Sequence, residues 1–178
     1  MFASFKARAE SVSAEVHRFA GKPAALQFIL SLLAKEGVSS APGAHALWSS
    51  CRFLDGLDRA SIAKDSGVRF EVTRELAATA RVGISQVALG IADTGTLAMI
   101  ATAVEERLVS SLPPIHVALL ATAALVPDLA TALKRLPPKD HACLSLITGP
   151  SRTADIERVL TIGVHGPGRL IIVCVDDL

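Results

Sequence analysis

The sequence predicts an α/β protein: an open, partly parallel sheet flanked by helices, with a helical segment at the N-terminus. Three observations carry this. Apolar residues make up 51% of the chain and charged residues 20%, too hydrophobic for disorder and enough to build a core. The apolar content is largely Ala, Leu, Val and Ile, beside six Phe, one Trp and no Tyr, and small aliphatics suit helices packed on a sheet. In the second half, short apolar runs of strand length alternate with stretches of helical spacing. The 178 residues fit a single domain, 1–178, divided into N-terminal helices (1–40) and an α/β core (83–177).

Composition excludes several function classes. A net charge of +1, from 18 basic and 17 acidic residues, lacks the basic footprint of a nucleic-acid binder, and no aromatic cluster offers a stacking platform. Cys51, Cys143 and Cys174 are widely separated, with no CxxC pair, so no cofactor is evident and neither a zinc nor an iron–sulfur site is expected from this chain alone. Free thiols without a secretory signal fit a cytoplasmic location. The longest apolar stretches break before bilayer-spanning length, so no membrane association is expected.

The first helix is expected over about Ser4–Phe19, with Phe5, Val12, Val16 and Phe19 roughly on one face, stopped by Gly21. Pro23 suits the first turn of a second helix that runs to about Lys35, its stripe being Leu26, Ile29, Leu30 and Leu33, with Gly37 ending it. A Ser/Pro/Gly loop follows over Val38–Gly43, then a short strand at Leu47–Trp48, a helix over Leu57–Lys64 and helical spacing from Val72 to Arg81. Gln86–Ala92 and Leu97–Ala103 read as two strands joined by the polar turn Asp93–Thr96. Ile115–Leu120, Cys143–Ile147 and Leu170–Val175 read as strands, and Leu125–Leu136 and Ala154–Ile162 as helices.

Three segments carry chemical information. In ITGPSRTADIE, Ile147–Glu157, a strand runs into a turn and then a helix for which Ser151 and Thr153 are N-cap candidates. Thr148, Gly149 and the helix N-terminus, with Arg152 beside them, would hold a carboxylate or phosphate. The same residues also describe an ordinary capped helix. In GVHGPGRL, Gly163–Leu170, glycines and a proline surround His165 and Gly166. Such a loop admits a ligand close to the backbone with His165 as acid, base or donor, or it simply connects helix to strand. In GIADTGTLAM and RLVSSLPPIHVALL, Asp93, Thr94, Gly95 and Thr96 form either a plain turn or a set of ligand-facing groups at a strand end. Arg107 and Ser110 precede Pro113–Pro114, and His116, inside an apolar run, reads as a satisfied core histidine. No nucleophile–base pair, paired-carboxylate site or metal motif is evident from spacing.

The order GIADTGTLAM, RxxSSLPPIHV, ITGPSRTADIE and GVHGP before a terminal strand resembles the LUD domain family, to which LutC-type lactate-utilisation proteins belong. The resemblance covers roughly Gly83 to Asp177. It implies a fold like the sugar-phosphate isomerase and CoA-transferase (NagB/RpiA) superfamily. It also implies a role in oxidising L-lactate to pyruvate alongside iron–sulfur partner proteins. On this reading the chain is an accessory subunit that binds a small anion through Thr94–Thr96, Thr148–Thr153 and the His165 loop. The alternative is a stand-alone enzyme on a phosphorylated or acyl substrate, with Arg152 holding the anion and His165 or Asp93 moving a proton. That alternative requires Arg152, His165 and Asp93 to meet in one pocket.

Overall fold

The computed structural model of the chain describes residues 1–153, 161–163 and 165–178. The elements run α1 (Phe2–Ser11), β1 (Ala14–Phe19), α2 (Lys22–Lys35), β2 (Ala46–Trp48), α3 (Arg59–Ser66), β3 (Val68–Arg69), α4 (Arg74–Thr79), β4 (Val82–Gln86), β5 (Leu89–Ile91), β6 (Thr96–Ile100), α5 (Val104–Ser111), β7 (Ile115–Ala121), β8 (Leu125–Val126), α6 (Leu129–Arg135), β9 (Leu144–Ile147), β10 (Arg152–Thr153), β11 (Thr161–Ile162) and β12 (Arg169–Val175). Short 3-10 turns lie at Arg52–Leu54, Thr122–Ala124 and Pro138–Asp140.

Six strands form a parallel sheet in the order β1-β12-β7-β4-β2-β3. The central strands are apolar on both faces because both are covered. In β12, Ile171, Val173 and Val175 face one core, with Ile29 and Leu33 of α2, Ile62 of α3, and Trp48 and Phe53. Leu170, Ile172 and Cys174 face the other, with Phe5 and Ala9 of α1 and Leu97 and Met99 of β6. Burying each such aliphatic side chain contributes roughly 2 kcal/mol. On that second face lies a four-stranded sheet, β8-β5-β6-β9, in which β5–β6 and β6–β9 are antiparallel. Also on that face, α5 packs so closely on β4 that a Cβ at Gly83 would stand 1.9 Å from the Val109 carbonyl oxygen. No helix among the described residues is long and apolar enough to cross a membrane.

The largest departure from expectation is at the N-terminus. The predicted Ser4–Phe19 helix stops at Ser11, turns through Ser13 with φ 71°, and continues as β1. Ala14 and Val16 are buried at alternate positions, a period of two that the looser helical spacing of Val12, Val16 and Phe19 masked. Pairing with β12 decides the matter: Ala14–Phe19 run parallel to Leu170–Val175, and Glu15 receives the Arg169 guanidinium through two hydrogen bonds. The N-terminal 40 residues are therefore not purely helical.

Two other segments divide where one element was expected. Gln86–Ala92 is the end of β4 plus β5, because the chain leaves one sheet for the other at Val87–Ala88: Val87 N–H donates to Leu119 and Ala88 N–H to Ala98. Leu125–Leu136 is β8, then Pro127, then α6, whose N-cap Asp128 accepts from the Thr131 N–H at 2.7 Å. Pro127 holds its predecessor out of helical conformation, and Asp128 is a strong cap. The predicted Ala154–Ile162 helix lies mostly outside the described residues, but Thr161–Ile162 is extended and pairs with Arg152–Thr153. Ser151 is thus followed by strand, not by the first turn of a helix.

Gly95 (φ +69°) turns between β5 and β6, and a Cβ there would stand 2.2 Å from the Ala9 backbone nitrogen. Gly56 (φ +80°) has no atom of the described residues within 4 Å of such a Cβ. In urea titrations Gly56→Ala is expected to cost about 1–2 kcal/mol, the left-handed backbone strain alone. Gly95→Ala is expected to cost more than about 3 kcal/mol, because α1 must also shift. Equal losses would mean that α1 does not press on this turn.

Candidate functional site

At the amino ends of β7 and β12 the chain encloses a cavity of about 310 Å³. Three loops and one helix end build it. Pro113–Pro114 bring the chain from the last turn of α5 into β7, and the Pro114 carbonyl accepts from the Gly168 N–H (3.0 Å), tying down the start of β12. The Ser151 N–H donates to the Pro167 carbonyl at 2.9 Å, joining the loop after β9 to the loop before β12. Gly166 permits that approach: a Cβ on it would sit 3.1 Å from the Ser151 Cβ. Ser110 and Ser111, Ser145–Ser151, His165–Pro167, His116 and Leu170 form the wall.

Of the residues singled out from sequence, Ser110, Thr148, Gly149, Ser151, His165 and Gly166 come together here. Thr96 stands just behind them, its Oγ1 2.8 Å from that of Thr148. The others lie elsewhere. Asp93 and Thr94 are exposed in the β5–β6 turn, and Gly95 packs on α1. The Arg107 guanidinium donates to the Ala101 and Thr102 carbonyls at the start of α5. That of Arg152 donates to the Val12 carbonyl (3.0 Å) and Ser13 Oγ (2.9 Å). It braces the α1–β1 turn, so Arg152, His165 and Asp93 do not line one pocket. Thr153 contributes backbone to β10. The start of the expected Ala154–Ile162 helix lies outside the described residues.

The sequence reading missed the role of His116. It is 1% exposed, and its Nε2 is 2.8 Å from Ser85 Oγ on the neighbouring strand β4. Ser85 in turn contacts Met99 Sδ at 3.6 Å. The satisfied core histidine therefore also forms cavity wall. Desolvation pushes its pKa down to about 4, so it faces the cavity as a neutral imidazole. Its second nitrogen, Nδ1, has no protein partner among the described residues. A His inside an apolar strand gave no hint of this, because β4 places Ser85 opposite it only in three dimensions. The described lining carries hydroxyls, backbone amides and two imidazoles, and no Lys or Arg. It suits a small ligand held by directional hydrogen bonds rather than by a full countercharge. Among the described residues no three His, Cys, Asp or Glu side chains are grouped to hold a metal ion.

The model of the LUD domain matches residues 2–175. The chain belongs to the LUD domain family. This LUD domain is thus recognisable from α1 onward, well upstream of the segment at Gly83 where the sequence resemblance begins. It is 37% identical over 114 residues to lactate utilization protein C of an Exiguobacterium species, a match covering 61% of this chain and 50% of the relative. With the protein of the same name from Macrococcus caseolyticus it is 34% identical over 141 residues, 73% of this chain and 60% of the relative. The LUD domain thus spans about half the length of the curated relatives it matches. A crystal structure of a DUF162 family protein from Deinococcus radiodurans has the same fold, with a TM-score of 0.65 at 14% identity, covering 98% of this chain and 95% of that one.

The low pKa of His116 sets a pH dependence. Above the unfolded value of 6.5 the ring is neutral in both states and contributes nothing; between 6.5 and about 4 the unfolded chain takes up a proton that the folded chain refuses. Stability therefore falls as pH drops through that window, by ~2 kcal/mol between pH 7 and 5. The carboxylates held low, Glu15 by its hydrogen bonds from Arg169 and Asp176 by that from Arg18, act at lower pH. Urea midpoints at the two pH values are expected to diverge in the wild type and to diverge less in His116→Asn, the remainder coming from His17, whose pKa burial also lowers. Equal divergence in both would place the acid sensitivity elsewhere.

Proposed function

We propose that this LUD domain is a LutC-like component of L-lactate utilisation. It serves as an accessory subunit in the oxidation of L-lactate to pyruvate and works with iron–sulfur partner proteins that carry the electrons. Its own part is to bind a small anion in the cavity at the amino ends of β7 and β12. The observation that carries the reading is the meeting of sequence-distant segments, SSLPPIH, ITGPS and HGP, around one cavity in a chain whose relatives bear the name lactate utilization protein C. The Thr148–Ser151 loop offers hydroxyls and turn amides to a carboxylate, His165 stands at the mouth, and neutral His116 accepts or donates one hydrogen bond from the wall.

The test is lactate-dependent dye reduction in extracts of the source organism lacking this protein. Wild-type protein is expected to restore reduction, and His165→Ala to restore it about tenfold less well, the loss of one strong hydrogen bond. The purified chain by itself is expected to be inactive. Undiminished reduction in the lacking extract, or lactate turnover by the isolated chain, would contradict the reading.

A further inference from the structure

The opposite, carboxyl end of the six-stranded sheet carries a second opening. After β2 the chain passes through α3 to β3 on one side, and after β4 it passes through α5 to β7 on the other. Adjacent strands whose continuations diverge form a topological switch point, where open α/β sheets leave a crevice outside the carboxyl ends of the strands. Here the crevice has a volume of about 220 Å³. Ser49–Arg52 follow β2 on one bank, and Gln86 at the end of β4 with Val87 and Ala88 after it forms the other, with Glu106 of α5 beside them.

The banks are fixed relative to each other. Gln86 Oε1 accepts from the Phe53 N–H at 3.0 Å, and Ser49 N–H and Oγ both donate to the Ile84 carbonyl. Lys22 Nζ holds the Arg52 carbonyl at 3.3 Å. Fixing Gln86 by its oxygen leaves its amide N–H donors without a protein partner among the described residues. Arg52 supplies the cation, having no carboxylate partner among the described ion pairs. Glu106 supplies a partly buried acceptor.

We propose that this crevice is a second ligand site for a small carboxylate that carries a hydroxyl or ammonium on the adjacent carbon. Arg52 and the Gln86 amide receive the carboxylate, and Glu106 receives the donor. The volume of about 220 Å³ matches a molecule of a few carbon atoms. None of the groups at the amino-end cavity takes part, so the site stands or falls independently of the lactate role.

The test is amide chemical-shift titration of the isotopically labelled full chain with L-lactate, L-alanine and propionate. The first two carry the donor, and the third is the same acid without it. Saturable shifts are expected at Ser49–Arg52 and Gln86–Ala88, tighter for lactate or alanine than for propionate. Arg52→Gln, on an exposed residue, is expected to weaken binding of all probes about tenfold. Glu106→Gln is expected to weaken lactate or alanine and spare propionate. Shifts confined to residues 148–151 and 165–167 would overturn the proposal, as would no saturable shift at the crevice amides with any probe. Affinities unchanged in both variants would overturn it too.

Discussion

β12 lies between β1 and β7 with both faces buried, Leu170–Val175 being at most 2% exposed, and most of the structure follows from that placement. Its alternate side chains enter two different cores, so it cannot slip by one residue without exchanging them. It joins the end of the chain to the beginning, because β1 has no other strand partner among the described residues. Arg169 at its head ties Glu15 and Glu36 together. These ion pairs are partly exposed and contribute on the order of 1 kcal/mol or less each. Their effect is to set register, while the buried aliphatic side chains supply the stability.

With β12 and β7 side by side, the loops that enter them are brought to one end of the sheet, and that end is where the cavity forms. The glycines of the recognisable segments then acquire specific causes. Gly95 and Gly149 both sit where the end of α1 arrives: a Cβ on Gly149 would stand 2.3 Å from the Val12 carbonyl oxygen. Arg152 grips the same turn. The α1–β1 corner is thus the buttress behind the loop that lines the cavity. Residues that look like ligand-binding chemistry in sequence are divided between the wall and the buttress. The carboxyl end of the sheet is built by different strands, β2 and β4, and by residues outside the motifs GIADTGTLAM, RxxSSLPPIHV, ITGPSRTADIE and GVHGP.

The α/β class, the β5–β6 hairpin, β7, β9 and β12 were legible because their apolar runs are bounded by Pro, Gly or Asp. α2 was legible through Pro23 and the Gly37 stop. β1 was not, since six residues of mixed polarity become a strand only when β12 lies alongside. The break at Val87–Ala88 was invisible for a related reason: a continuous apolar run does not say which sheet each half joins. At the site, hydroxyl- and glycine-rich loops pointed to Thr148, Ser151 and His165. Arg152 and Arg107 could not be placed, because a guanidinium answers to backbone carbonyls as readily as to a ligand, and those carbonyls are distant in sequence. His116 illustrates the converse, a residue both packed in the core and exposed to a cavity, which periodicity treats as core alone.

The structural idea on which the functional reading rests is that α1–β1 and the cavity loop form one cooperative unit with β12. Amide hydrogen exchange read by mass spectrometry measures this directly, since segments that open only together exchange together. Peptides covering β1 and β12 are expected to share the slow exchange of β7, and Arg152→Ala is expected to speed exchange in both the α1–β1 corner and the Thr148–Ser151 loop. Rapid exchange of α1–β1 while β7 and β12 remain protected would show that the N-terminal segment is a detachable appendage, and the cavity would then have to be explained without it.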